Sequence, residues 1–193
     1  MKINTKNKII DVTIKLLKKE KDVTKVSMRK IASEADIAVS VINYHFQTKQ
    51  NLVNIAVDQY INQVISESSN TSDFNELTIE EQIRVRIKDA TNFIANNPGI
   101  SRVSVLNDLN NPKMDDNSSK LFQSILKQLE VYYQDRLDEV QLKILVQQQI
   151  ATVQEIFLRN EIFNEQTGLD FYDEKDRQQI VDTLIDQILR KEC

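Results

Sequence analysis

Cysteine, glycine, proline and histidine are almost missing from this chain, and tryptophan is absent. Its 193 residues include one Cys, two Gly, two Pro and one His. The lone cysteine, Cys193, excludes an internal disulfide framework and any metal site built on cysteine. With so little Gly and Pro there is little β-turn punctuation, which points to an all-α fold. One histidine, His45, cannot supply a His-based metal site or a Ser-His-Asp triad within one chain, so neither enzyme activity nor a metal or other cofactor is expected. The acidic pair Asp115/Asp116 lies in a polar stretch and reads as turn chemistry. No apolar run approaches the length of a membrane span, and the first residues lack the apolar core of a secretory leader. The expectation is a cytoplasmic protein with no membrane partner.

What is present is unevenly spread. The chain carries a formal net charge of −4, yet residues 1–50 hold 11 Lys/Arg against 5 Asp/Glu, while residues 51–193 hold 14 against 24. A basic first quarter on an acidic remainder suits a protein that offers one end to phosphates and keeps the rest away from them. The plainer reading, a lysine-rich solvated helix face, does not account for the asymmetry.

The basic part contains VSMRKIASEADIAVSVINYHFQTKQNL, residues 26–52. Ser27 can cap a helix start, because its hydroxyl accepts backbone N–H groups that no intrahelical carbonyl reaches. Ile31, Ala32 and Ala35 follow at helical spacing, with Arg29 and Lys30 on the other side. Asp36 falls where a left-handed residue would end that helix, a position that Asp tolerates better than most residues. Ile37 is an apolar plug after the turn, and 38–44 is a second, very short helix. This is the spacing of a helix-turn-helix, whose second helix presents side chains to the major groove. Ala38, Val39, Ser40 and Val41 are small enough to enter a groove. Val39 or Val41 suits a thymine methyl, and Ser40 or Asn43 can bond base edges or phosphates. Tyr44 and His45 can each donate to a backbone phosphate. Thr48 caps a third helix that begins at Lys49. A lysine there opposes the helix dipole, which makes sense if a phosphate is bound at the same place.

Two pieces, KNKIIDVTIKLLKKE and the 26–52 segment, together resemble the N-terminal DNA-binding domain of the TetR/AcrR family of bacterial one-component regulators. The likeness covers about the first quarter of the chain and rests on helix spacing, the turn and the aromatic-Phe-x-x-Lys junction. Asp36 stands where the family usually has a turn glycine, and Asn43 where it usually has a tyrosine. The resemblance implies DNA contacts for Ser27, Arg29, Val39, Ser40, Val41, Asn43, Tyr44, His45 and Lys49. It implies core roles for Ile42 and Phe46. It further implies a three-helix head (1–50) on a larger helical effector-binding and dimerisation domain (51–193), and a repressor released from DNA by a small molecule.

In the remainder, helices are expected at 49–64, 78–97, 100–109, 118–137, 141–164 and 173–191, and a first helix at 4–21. The polar stretch 66–76 marks a hinge or loop. Asn97-Pro98-Gly99 ends one helix, and 110–117 is a loop. The last two helices carry apolar residues too broadly for one buried face, which suggests packing on the body from one side and on a second copy from the other. The candidate dimer residues are Val146, Ile150, Val153, Phe157, Val181, Leu184 and Ile188. Ligand-binding residues stay unassigned. Phe93, Arg102, Phe122, Tyr132, Tyr133 and Phe157 suit either a pocket or a core. The partners expected are double-stranded DNA with a palindromic operator, a second copy of the chain and a small-molecule effector. The competing class is a helical protein–protein adaptor with a degenerate helix-turn-helix. It would need neither Lys49 nor a basic first helix.

Overall fold

The computed structural model describes residues 5–20, 23–68, 74 and 76–189. Among these are ten α-helices, short 3₁₀ turns and no strand. They fall into two compact units, one from 1–70 with 97–112 and one from 71–96 with 113–193.

In the first unit, α1 (Thr5–Lys19) buries Ile9, Ile10, Thr13, Leu16 and Leu17 along one face. The Thr13 hydroxyl is satisfied inside the helix, donating to the Ile9 carbonyl at 2.7 Å. This face packs on α4 (Lys49–Ser68), which buries Leu52, Val53, Ala56 and Val57, and on α6 (Pro98–Asn110). The short α2 (Met28–Glu34) and α3 (Val39–Phe46) complete the three-helix head. Asn54 on α4 donates to the Asn107 carboxamide on α6 at 2.8 Å.

Asn97-Pro98-Gly99 ends α5 (Ile79–Asn96), as the sequence suggests, but the next helix begins at Pro98 rather than at 100. Pro98 opens α6 at its first helical position, where its missing N–H costs nothing and its fixed φ already suits a helix. Gly99 follows because a Cβ there would lie 2.5 Å from the carbonyl oxygens of both Leu17 and Glu20, at the end of α1. Only glycine lets the two backbones come this close.

The second unit comprises α5 (Ile79–Asn96), α7 (Asn117–Tyr133), α8 (Glu139–Leu158), α9 (Asn160–Thr167) and α10 (Glu174–Ile188). Its helix starts are locally encoded. Thr78 and Glu81 cap α5 reciprocally: the Glu81 carboxylate accepts the Thr78 N–H at 2.8 Å, and the Thr78 hydroxyl accepts the Glu81 N–H at 3.3 Å. Asp138 and Gln141 form a capping box on α8, while Asp116 and Asp173 cap α7 and α10. Ile83, Ile125, Leu129, Val146, Ile185 and neighbours form one core. Each such fully buried aliphatic side chain contributes about 1.5–3 kcal/mol by leaving water.

The single helix expected over 141–164 is two. It breaks at Arg159 (φ −121°, ψ 32°), and Asn160 is turned to hold the following loop. Asn160 accepts the Phe171 N–H at 2.8 Å and donates to Asp170 at 2.9 Å, and Gly168 ends α9 at φ 77°. The helix expected to reach 137 stops at Tyr133. The expected helix ends at 4, 21 and 191, part of the 66–76 stretch, and Cys193 lie outside the described residues.

Candidate nucleic-acid interface

Local chemistry sets the head's surface. Ser27 caps α2, its hydroxyl accepting the Lys30 N–H at 3.2 Å. At the other end Asp36 adopts φ 51°, its N–H donates to Ser33 at 3.2 Å, and the Ile37 N–H donates to Ala32 at 3.1 Å. This pair of bonds is the Schellman closure that a left-handed residue permits. Asp36 therefore does the work of a turn glycine.

After the turn, α3 buries Ile42 and Phe46, four residues apart, and so points its opposite side outward. Ser40, Asn43, Tyr44 and Gln47 make one exposed stripe at i, i+3, i+4 and i+7, with Val39 and Val41 half-buried at its flanks. Tyr44 is 84 % exposed, its ring meeting only the edge of His45 at 5.2 Å among the described residues. With Ile42 and Phe46 packed inward, the Tyr44 ring is left on the outer side of α3.

The junction to α4 is constrained. Gln47 sits at φ 64°, an unusual conformation for a residue other than glycine, and its N–H donates to Asn43 at 2.9 Å. Thr48 caps α4 by accepting the Asn51 N–H at 3.1 Å, and the Asn51 carboxamide donates back to the Phe46 carbonyl at 2.9 Å. Lys49 is half-buried and does not stand free: its ammonium donates to the Val23 carbonyl at 3.0 Å. An ammonium has three donors, so this bond fixes the lysine beside the first turn of α4 and leaves it further protons for an anion.

The charges divide by role. Lys30 is taken up by Glu20 at 2.7 Å, and this hydrogen bond holds the Glu20 carboxyl below its ordinary range. Arg29 is exposed and has no acidic partner among the described residues. Thus Ser27, Arg29, Ser40, Asn43, Tyr44 and His45 are all exposed on one small head, with Lys49 held nearby by a backbone carbonyl. Gln47 belongs to the same surface and was missed in the sequence, because glutamine carries no signal for a positive φ.

The proposed dimer residues have a different fate. Val146, Ile150, Val153, Phe157, Val181 and Ile188 are buried within the second unit itself, and Leu184 is half-buried. The broad stripe of α8 is consumed by α7 and α5, and that of α10 largely by α5. The large apolar side chains that α8 turns outward are Val140, 64 % exposed, and Ile144, 53 % exposed. Among the described residues no group of three His, Cys, Asp or Glu side chains is placed to hold a metal ion, and no helix is long and apolar enough to cross a membrane.

Residues 9–55 match the family model described as bacterial regulatory proteins, tetR family. Among solved structures the chain is similar to a TetR transcriptional regulator from Rhodococcus sp. RHA1, with a TM-score of 0.54, 14 % identity and 98 % of each chain covered. It is also similar to the transcriptional regulator FadR from Bacillus subtilis, solved in complex with stearoyl-CoA. That match has a TM-score of 0.57 and 16 % identity, covering 96 % of this chain and 98 % of that one. No curated protein sequence matches the chain.

Proposed function

We propose that this chain, a DNA-binding transcription regulator of the tetR family by its head and by the fold of its helical remainder, acts in the cytoplasm as a homodimeric repressor on a palindromic operator. The observation that carries the reading is the exposed stripe of α3 over a buried Ile42/Phe46 anchor. In this reading α3 enters the major groove. Ser40 and Asn43 meet base edges, Val39 and Val41 pack on thymine methyls, and Tyr44 lies against the groove wall. Ser27, Arg29, His45 and Lys49 hold phosphates on either side and set the register without reading sequence.

Two heads joined by a two-fold axis read two half-sites, which is why a palindrome is expected. The second copy docks on the outward side of α8, through Val140 and Ile144, with Leu184 of α10 at its margin. The buried Val146, Ile150, Val153, Phe157, Val181 and Ile188 hold those helices from within.

The effector is a small molecule bound by the second unit. A regulator of this fold has been solved with stearoyl-CoA, so long-chain acyl-CoA thioesters are the first compounds to test. Binding of the effector favours the DNA-free state.

The test is footprinting of the purified protein on the DNA that flanks its own gene, at physiological salt with competitor DNA. A protected palindrome of two half-sites is expected, released by the effector. Protection of no sequence there or at any genomic site, with the fold intact, would favour the helical adaptor instead.

A further inference from the structure

Arg177, in the first turn of α10, is 4 % exposed and has no carboxylate partner among the described residues. Its Nε donates to the Asn92 side-chain oxygen on α5 at 2.9 Å. Its Nη1 donates to the carbonyls of Phe171, Tyr172 and Asp173 at 3.0, 3.3 and 3.4 Å. These acceptors satisfy protons but do not neutralise the charge, and a buried guanidinium is costly without a counter-charge. The carboxylates nearby in sequence are turned elsewhere. Asp173 accepts the N–H groups of Lys175 and Asp176, and Asp176 accepts that of Asp170.

The remaining nitrogen, Nη2, meets no protein acceptor among the described residues and is not sealed off. Arg177 lines a cavity of about 60 Å³ with Lys88, Thr91, Asn92, Gln178 and Val181. A single water needs about 10–15 Å³, so there is room for a small polyatomic ion but not for an acyl chain. The donors around it are oriented. Because Asn92 gives its oxygen to Arg177, its NH₂ group is left to donate. Lys88 is held by Asp182 at 2.7 Å and keeps further protons, and the Gln178 amide is exposed beside it. Among the described residues no carboxylate lines the cavity itself.

We propose that this cavity between α5 and α10 binds a small oxyanion, with Arg177 as the buried charge and Asn92, Gln178 and Lys88 as the outer donors. The free Nη2 protons suit an oxygen of a phosphate, sulfate or carboxylate group through a charge-assisted hydrogen bond. The site lies within the second unit and is independent of what the head reads.

Thermal unfolding of the full chain at pH 7 tests it, with sodium phosphate compared to sodium chloride at equal ionic strength. A saturable rise in Tm with phosphate, beyond that with chloride, is expected. Asn92→Asp places a carboxylate beside Arg177 at an exposed position. It should raise the Tm in chloride and abolish the phosphate response. Arg177→Gln should lose the response as well; if it does not fold, Asn92→Asp decides alone. Absence of a phosphate-specific rise in the wild type, or a rise of equal size in Asn92→Asp, would overturn the proposal. Methyl phosphate separates the sources. A response equal to that of phosphate assigns the site to the phosphate end of a larger molecule, and a response confined to inorganic phosphate assigns it to the free ion.

Discussion

Tyr44 in the head and the Tyr132/Tyr133 pair in the second unit are the same residue type with opposite fates. Tyr44 stands in solvent on α3 and has no hydroxyl partner among the described residues. Tyr132 and Tyr133 meet edge to face at 5.0 Å and donate their hydroxyls to the carbonyls of Leu189 and Ile188, closing the end of α10. The charges follow the same division. In the second unit Arg84 bridges Glu80 and Asp186, Lys88 pairs with Asp182, and Arg159 pairs with Glu155. In the head Lys30 has its Glu20, but Arg29 and Lys49 have no acid among the described residues. In these examples the second unit partners its aromatic and cationic groups internally, and the head leaves Tyr44 and Arg29 in solvent.

The sharpest test of that contrast uses two aromatics on one helix. Phe46→Ala should cost about 3–5 kcal/mol of folding stability, read by denaturant unfolding, because it opens a cavity in the head core. Tyr44→Ala should leave the unfolding curve in place and weaken operator binding. Equal loss of stability in both variants would end the distinction. On α8 the corresponding pair is Val146 and Ile144. Val146→Asp buries a charge and should prevent folding of the second unit. Ile144→Asp should keep a native circular-dichroism spectrum and shift sedimentation from dimer to monomer. A dimer that survives the Ile144 change moves the interface off this face.

Smaller effects separate reading from holding. Asn43→Ala should cost about 1–3 kcal/mol at its preferred base pair and relax preference there, measured by binding to a panel of operator variants. Lys49→Ala should weaken all sequences alike and lower the slope of log K against log salt by about 0.9, one phosphate's worth. An unchanged slope would mean that the Val23 carbonyl is the only partner of Lys49.

The smallest effect lies at the α5 cap. The hydrogen bonds from the Thr78 side chain and backbone hold the Glu81 carboxyl below its ordinary value of 4.5. A carboxylate whose folded pKa is depressed contributes stability above its unfolded pKa and loses it as pH falls through the folded one. Stability should therefore fall slightly on acidification below about pH 4.5, and Glu81→Gln should flatten that limb of the Tm–pH curve.

How much of this was legible follows from how local each signal is. Ser27, Asp36 and Thr48 act on backbone groups within three residues, so their sequence context nearly determined their geometry. The core roles of Ile42 and Phe46 came from the family resemblance, since the short second helix expected over 38–44 did not reach Phe46. The broad stripes of α8 and α10 showed only that much apolar surface must be covered. Whether a neighbour in the same chain covers Val146 or a second copy does is a long-range fact, and periodicity carries no information on it. Arg177 was invisible for a related reason: arginine near a helix start reads as solvated, and its burial depends on Asn92, 85 residues earlier. The break at Arg159 depends on Asn160 reaching the 170–171 backbone, and the positive φ of Gln47 has no residue-type signal at all.

The absence of a Cβ at Gly99 has a consequence for anyone who cuts or grafts this protein. The first unit is discontinuous in sequence, since α6 returns from beyond α5 to lay its first turn on the last carbonyls of α1. A fragment ending at residue 68 would strip away Ile100 and Val103 and leave the inner face of α1 and α4 wet. A working transplant of this head into another regulator must therefore carry two pieces of chain, 5–68 and 98–110, with a glycine kept where they touch.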